Sequence, residues 1–80
     1  MERTIKTLKK VLQREELTTR KVDRYLHNKG FLIYKVTTSK LIYKTSNTSD
    51  YLCVTFKYEF GIPMVKNVYS IDWGLDLWTE

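Results

Sequence analysis

Ile5, Leu8, Val11 and Leu12 recur at the three- and four-residue spacing of an amphipathic helix, which the pattern predicts over residues 2–15. At about 100° per residue, Arg3, Lys6, Lys10 and Arg14 collect on the opposite face of that helix. Glu15, Glu16 and Leu17 lead into Thr18-Thr19, where a hydroxyl side chain can cap a second helix. This helix is expected to run to about residue 29, with Val22, Tyr25 and Leu26 inward and Arg20, Lys21, Arg24 and Asn28 outward. Gly30 stands where a left-handed residue closes a helix, and Phe31 can pack back as its hydrophobic closure.

Beyond Gly30 the period changes from 3.6 to 2. Residues 31–37 are rich in aromatic and β-branched side chains and predict a strand, with Leu32, Tyr34 and Val36 on one face and Phe31, Ile33 and Lys35 on the other. A polar turn at Thr37-Thr38-Ser39 precedes a second strand over 40–45, where Leu41 and Tyr43 alternate with Lys40, Ile42 and Lys44. Residues 46–50 have loop composition. The third strand, 51–60, carries Leu52, Val54, Phe56, Tyr58 and Phe60 inward against Thr55, Lys57 and Glu59 outward. Gly61-Ile62-Pro63 predicts a turn, and 64–73 a fourth strand. Residues 74–80 form no recognisable element, though Leu77 or Trp78 can cover one end of the core.

The expected fold is therefore α+β: two N-terminal helices, then a four-stranded antiparallel β-meander with both helices on one face. Eighty residues of 9.6 kDa lead us to expect a single domain, 1–80, with one modest core. The first and last strands are the edges of that sheet. Lys66, Asn67, Ser70 and Asp72 make the last one polar, whereas 31–37 has only Lys35 as a charged guard. Pairing of two first strands would give a homodimer that sets two basic helix faces side by side; the alternative is a monomer in which the first helix or Leu75-Asp76-Leu77-Trp78 covers that edge.

Charge sharpens the picture. The net charge of +5 divides unevenly: residues 1–44 hold twelve Lys or Arg against four acidic residues, and 45–80 hold two against five. A surplus of eight followed by a deficit of three points to an acidic partner, nucleic acid foremost. The chain contains no alanine and is rich in Lys, Thr and Tyr. That composition fits an AT-rich genome, such as a low-GC bacterium or its phages. The start lacks an apolar signal-peptide core, no run is long enough for a membrane span, and the one cysteine is unpaired. The expected setting is the cytoplasm of a bacterial host cell.

Catalytic parts are scarce. His27 is the lone histidine, four residues after Asp23 on one helix, where such a pair is usually inert. Cys53 alternates with an inward-facing strand set and is expected to be a structural thiol. Gly30, Gly61 and Gly74 are isolated, so no phosphate-binding glycine loop is present. We expect no enzyme, no cofactor and no metal site. Asn47-Thr48-Ser49 matches a glycosylation triplet that only secretion would use.

Three resemblances bear on function. Leu17-Thr18-Thr19-Arg20-Lys21-Val22-Asp23-Arg24-Tyr25-Leu26 resembles the first helix of excisionase-type helix-turn-helix domains, without the recognition helix that must follow. Helix, Gly30-Phe31 and three strands with a serine turn resemble the HicA-type toxins, which implies a double-stranded-RNA-binding-like fold and cleavage of messenger RNA. Their catalytic histidine follows a Gly-Ser turn at the start of the second strand. Here that stretch is Thr38-Ser39-Lys40-Leu41, with Ser39 matching and no histidine. Ser39-Lys40-Leu41-Ile42-Tyr43 is also similar to small uncharacterised phage proteins.

Aromatic residues make up 14% of the chain. Tyr34, Tyr43, Tyr51, Tyr58 and Tyr69 are candidates for stacking bases beside lysines. Phe56, Tyr58 and Phe60 read better as core, while Tyr51 and Trp78 suit either stacking or a protein interface. The expected function is that of a small, basic, non-enzymatic binding protein of phage or mobile-element origin. It acts on nucleic acid or a nucleoprotein through Arg3, Lys6, Lys10, Arg14, Arg20, Lys21 and Arg24, as phosphate-contacting charges. The alternative is an inhibitor of a host defence nuclease, similar to anti-CRISPR proteins, or of another bacterial regulator, whose basic helices meet an acidic protein surface or whose acidic second half mimics nucleic acid.

Overall fold

Each helix forms where an apolar stripe and its end signals coincide. In the computed structural model, which describes residues 1–46 and 50–71, α1 spans Glu2–Arg14 and α2 spans Thr19–Asn28. Thr18 caps α2, its hydroxyl accepting the Lys21 N–H at 3.2 Å. At the other end the Gly30 N–H donates to the His27 carbonyl and the Phe31 N–H to the Leu26 carbonyl, each at 3.0 Å. This pair of bonds is a Schellman closure. It requires the left-handed φ of +90° that Gly30 adopts, and it brings Phe31 into the same buried cluster as Leu26.

Four strands follow: β1 Leu32–Val36, β2 Lys40–Lys44, β3 Tyr51–Glu59 and β4 Ile62–Ile71. They pair antiparallel in the order β1-β2-β3-β4, a meander. Strand alternation then sorts the side chains. Tyr43, Leu52, Val54, Val65 and Val68 face the helices and pack with Ile5, Leu8, Leu17, Val22 and Leu26. Each such aliphatic side chain stabilises the fold by roughly 1.5–3 kcal/mol through leaving water. Ile42, Tyr51 and Cys53 point to the opposite face and form a second buried cluster with Tyr69 and Ile71.

Two bulges reset the alternation. Between the pairs Ile33↔Tyr43 and Lys35↔Ile42, Tyr34 is an extra residue in β1. Val36 therefore stands opposite Leu41, and the expected common face of Leu32, Tyr34 and Val36 is not formed. In β4 the pairs Thr55↔Asn67 and Phe56↔Val65 leave Lys66 as the extra residue. That insertion is why Val65 and Val68, three apart, both face the helices.

The end of the β3–β4 hairpin also departs from expectation. Phe60 and Gly61 alone make the turn, both with positive φ, while Ile62 and Pro63 already belong to β4. A two-residue turn with two positive φ values is the type I′ arrangement that matches strand twist. Pro63 is tolerated because β4 is an edge strand. The middle of the expected 46–50 loop (47–49), the expected end of the fourth strand (72–73), and the tail 74–80 with Leu77 and Trp78 lie outside the described residues.

The helices lie chiefly against β4. Between them, the linker contributes Leu17, whose carbonyl accepts the Val65 N–H at 2.8 Å, and Thr18, which bridges to Met64. Past this point the hairpin extends without a helical cover. Tyr58 and Phe60, expected in the core, are exposed for that reason, and Phe56 is the last buried residue of their row.

Candidate functional site

The apolar stripe of α1 is consumed by the core, which leaves its cationic row in water. Arg3, Lys6, Lys10 and Arg14 are all exposed. Glu2, Arg3, Lys6, Thr7 and Lys10 outline an open depression of about 380 Å³ on this helix. On α2, Arg20, Lys21 and Arg24 are exposed as well. Lys21 flanks an apolar groove of about 130 Å³ between the helices, lined with Thr7, Leu8, Val11, Leu17, Val22 and Tyr25. Thr7 borders both hollows, with Arg3, Lys6 and Lys10 around the one and Lys21 at the other. Arg20 is 100° around α2 from Lys21, and Arg24 a turn further along from Arg20. Arg14 sits in the last turn of α1, beside the linker. The structure thus gathers Arg3, Lys6 and Lys10 around one depression, sets Lys21 at the neighbouring groove, and leaves Arg14 beside the linker and Arg20 and Arg24 elsewhere on α2.

None of the seven forms an ion pair among the described residues, unlike His27 with Asp23 and Lys66 with Glu59. Glu2 is the one acidic residue at the depression that Arg3, Lys6 and Lys10 outline.

Tyr43 is completely buried, and its hydroxyl donates to Asp23 Oδ1 at 2.6 Å. The other Asp23 oxygen lies 3.3 Å from His27 Nδ1. This chain of three ties α2 to β2. Burial first, and then the hydrogen bond and charge of Asp23, push the Tyr43 phenol far above its ordinary range. Tyr43 thus serves as an anchor, not as a stacking surface. Burial likewise raises the Cys53 thiol, against the opposing influence of Tyr69 and Lys40. The buried, protonated thiol suits the structural role expected of it.

Tyr51 is 2% exposed, with the Tyr34 ring against it at a centroid distance of 4.8 Å. It is unavailable as a surface anchor; Trp78, the other candidate, lies outside the described residues. Tyr34 itself is exposed and carries Lys44 Nζ 5.7 Å from its ring. Tyr69 is half-buried. The exposed apolar residues that periodicity missed are Tyr58, Phe60 and Ile62 at the hairpin end. One signal for them was present: Phe60-Gly61 between two alternating runs is a two-residue hairpin turn, which places its flanks at the tip.

Among the described residues no three His, Cys, Asp or Glu side chains are grouped to hold a metal, and no helix is long and apolar enough to cross a membrane. No protein-family model matches the chain, and neither does any curated protein or solved structure.

Proposed function

We propose that this chain is a small non-enzymatic protein that binds nucleic acid or a nucleoprotein through the outer faces of α1 and α2. The observation that carries the reading is the unpaired, exposed cationic surface of Arg3, Lys6, Lys10, Arg14, Arg20, Lys21 and Arg24, displayed by helices whose opposite sides are locked to the sheet. Lysine and arginine on a rigid helix meet phosphates without base readout, so affinity comes from counterion release and sequence preference is weak. The composition fits a phage or mobile element acting in a bacterial cytoplasm.

We further propose that the protein works as a homodimer joined through β1. That strand is an edge, and its Leu32, Ile33, Tyr34 and Val36 are exposed. Pairing with a second β1 satisfies the open backbone groups, shields these side chains and doubles the cationic footprint.

A mobility-shift titration of labelled DNA and RNA at two salt concentrations tests the binding. Each phosphate neutralised steepens the dependence of log affinity on log salt by about 0.7–0.9. Lys6→Ala with Lys10→Ala is expected to reduce that slope by about 1.5. Absence of a shift at micromolar protein and low salt refutes the reading. Retention of a lysate protein after nuclease digestion, with no shift, assigns the basic faces to an acidic protein partner, as for a nuclease inhibitor.

A further inference from the structure

The β3–β4 hairpin ends in an arrangement that stability alone does not favour. Phe60 is fully exposed and has a φ of +54°, a left-handed conformation that bulky side chains rarely take and that Asn, Asp or Gly fills readily. A ring placed there gains nothing from burial and strains its own backbone. Such outliers persist where the surroundings impose them, and they cluster at sites that make contacts.

The neighbours complete a platform. Tyr58 is 66% exposed, and its ring stands edge-on to Phe56 with centroids 5.9 Å apart. Phe56 is buried, so the Tyr58 ring rests against a packed neighbour. Ile62, half-exposed, stands opposite Glu59 on the other face of the ribbon. The carboxylate of Glu59, which would repel a phosphate, is paired with Lys66. Lys57 remains exposed on the ribbon.

The tip is also joined to the cationic surface. The Val65–Leu17 hydrogen bond and the Thr18–Met64 bridge dock the helix linker a few residues from the turn. Arg14 precedes that linker, and Arg20 and Lys21 follow it. Against Glu15 and Glu16 of the linker these three cations leave a surplus of one, and Lys57 adds a positive charge on the face of the ribbon opposite Tyr58. Rigid aromatic rings beside cations are what a strand of unpaired nucleotides uses: bases stack on the rings and phosphates lie along the charges. A duplex, whose bases are already stacked, has no such use for the tip.

Resting on the nucleic-acid reading above, we infer that the Tyr58–Phe60 hairpin tip is a base-stacking site for single-stranded nucleic acid, continuous with the cationic helix faces.

Phe60→Asn isolates the ring, because Asn-Gly suits a type I′ turn and the variant should melt no lower than the parent. The probes are a fluorescein-labelled twelve-nucleotide oligothymidylate, an abasic strand of the same length, and vesicles of anionic lipid. Fluorescence anisotropy is expected to give about tenfold weaker binding of oligothymidylate by Phe60→Asn, with an unchanged salt slope. Tyr58→Leu is expected to cause a loss of several-fold. Affinity for the abasic strand should not change in either variant. Equal oligothymidylate affinity in parent and Phe60→Asn overturns the stacking site while leaving the helix faces as the binding surface. Equal losses on the abasic strand, or loss confined to vesicle binding, also overturn it. No binding of any strand by the parent removes both the stacking site and the function it rests on.

Discussion

The two edges of the sheet are built differently. β4 is covered by both helices on one side, with Val65 and Val68 buried beneath them. Its open backbone is interrupted by the linker, which accepts the Val65 N–H through Leu17. Its bulge falls on Lys66, and the Asn67 side chain accepts the N–H of Val68 at 2.8 Å, so polar groups occupy the outer edge. β1 has a bulge too, but the extra residue is Tyr34, and exposed apolar residues flank it. Lys35 is the one charge in the strand. A bulge bends an edge, but polar groups and a docked segment are what discourage another strand from adding to it. β4 has all three devices. β1 has one, and among the described residues no further strand pairs with its outer edge.

Matched substitutions probe this difference most strongly in the core. Val68→Ala empties a fully buried site under the helices and is expected to cost about 1–3 kcal/mol in urea denaturation. Val36→Ala, at a site 58% exposed, should change stability by less than about 0.5 kcal/mol in the monomer. Equal losses at the two valines would mean that β1 is packed as firmly as β4.

A smaller effect comes from the Tyr43–Asp23 bond that holds α2 over β2. Tyr43→Phe should lose about 1 kcal/mol near neutral pH, since Asp23 regains water when its partner is removed. The pH dependence has a definite sign. The native phenol keeps its proton well above the range in which an unfolded tyrosine releases it, near pH 10. Its contribution is complete below that value and falls as pH rises further, by up to about 1.4 kcal/mol per unit. The alkaline loss should be shallower in Tyr43→Phe; identical pH profiles would contradict the buried hydrogen bond.

Smallest in stability, but decisive for the edges, is a charge on β1. Val36→Lys should leave the melting temperature of the monomer nearly unchanged and reduce the light-scattering mass from about twice 9.6 kDa to 9.6 kDa. Lys66→Val, the reverse change on β4, should leave the parent mass as it was, because the linker still blocks that edge. A parent mass near 9.6 kDa throughout the micromolar range would remove the dimer.

Much of the fold was legible because its signals are local. The stripe of Ile5, Leu8 and Val11, the Thr18 cap and the Gly30-Phe31 closure each lie within a few residues, and all form as expected. So does the alternation of Leu52, Val54 and Phe56. The bulges at Tyr34 and Lys66 were hidden because an inserted residue changes the phase of a strand without changing its composition. Tyr58 and Phe60 continue an inward row by period alone. Their exposure depends on where the helix layer stops, which the Leu17–Val65 bond decides across 48 residues of chain. Tyr43 meets Asp23 across the layers, again beyond the reach of periodicity. The cationic positions were the most legible part of the candidate site, since helical spacing alone placed them opposite the core.

The most direct measurement is the salt dependence of nucleic-acid affinity in the parent protein and in the variant with Lys6→Ala and Lys10→Ala. Our account predicts micromolar or tighter binding at low salt, a linear fall of log affinity with log salt, and a slope reduced by about 1.5 in the variant. No binding at low salt, or a slope that the two substitutions leave unchanged, would contradict it.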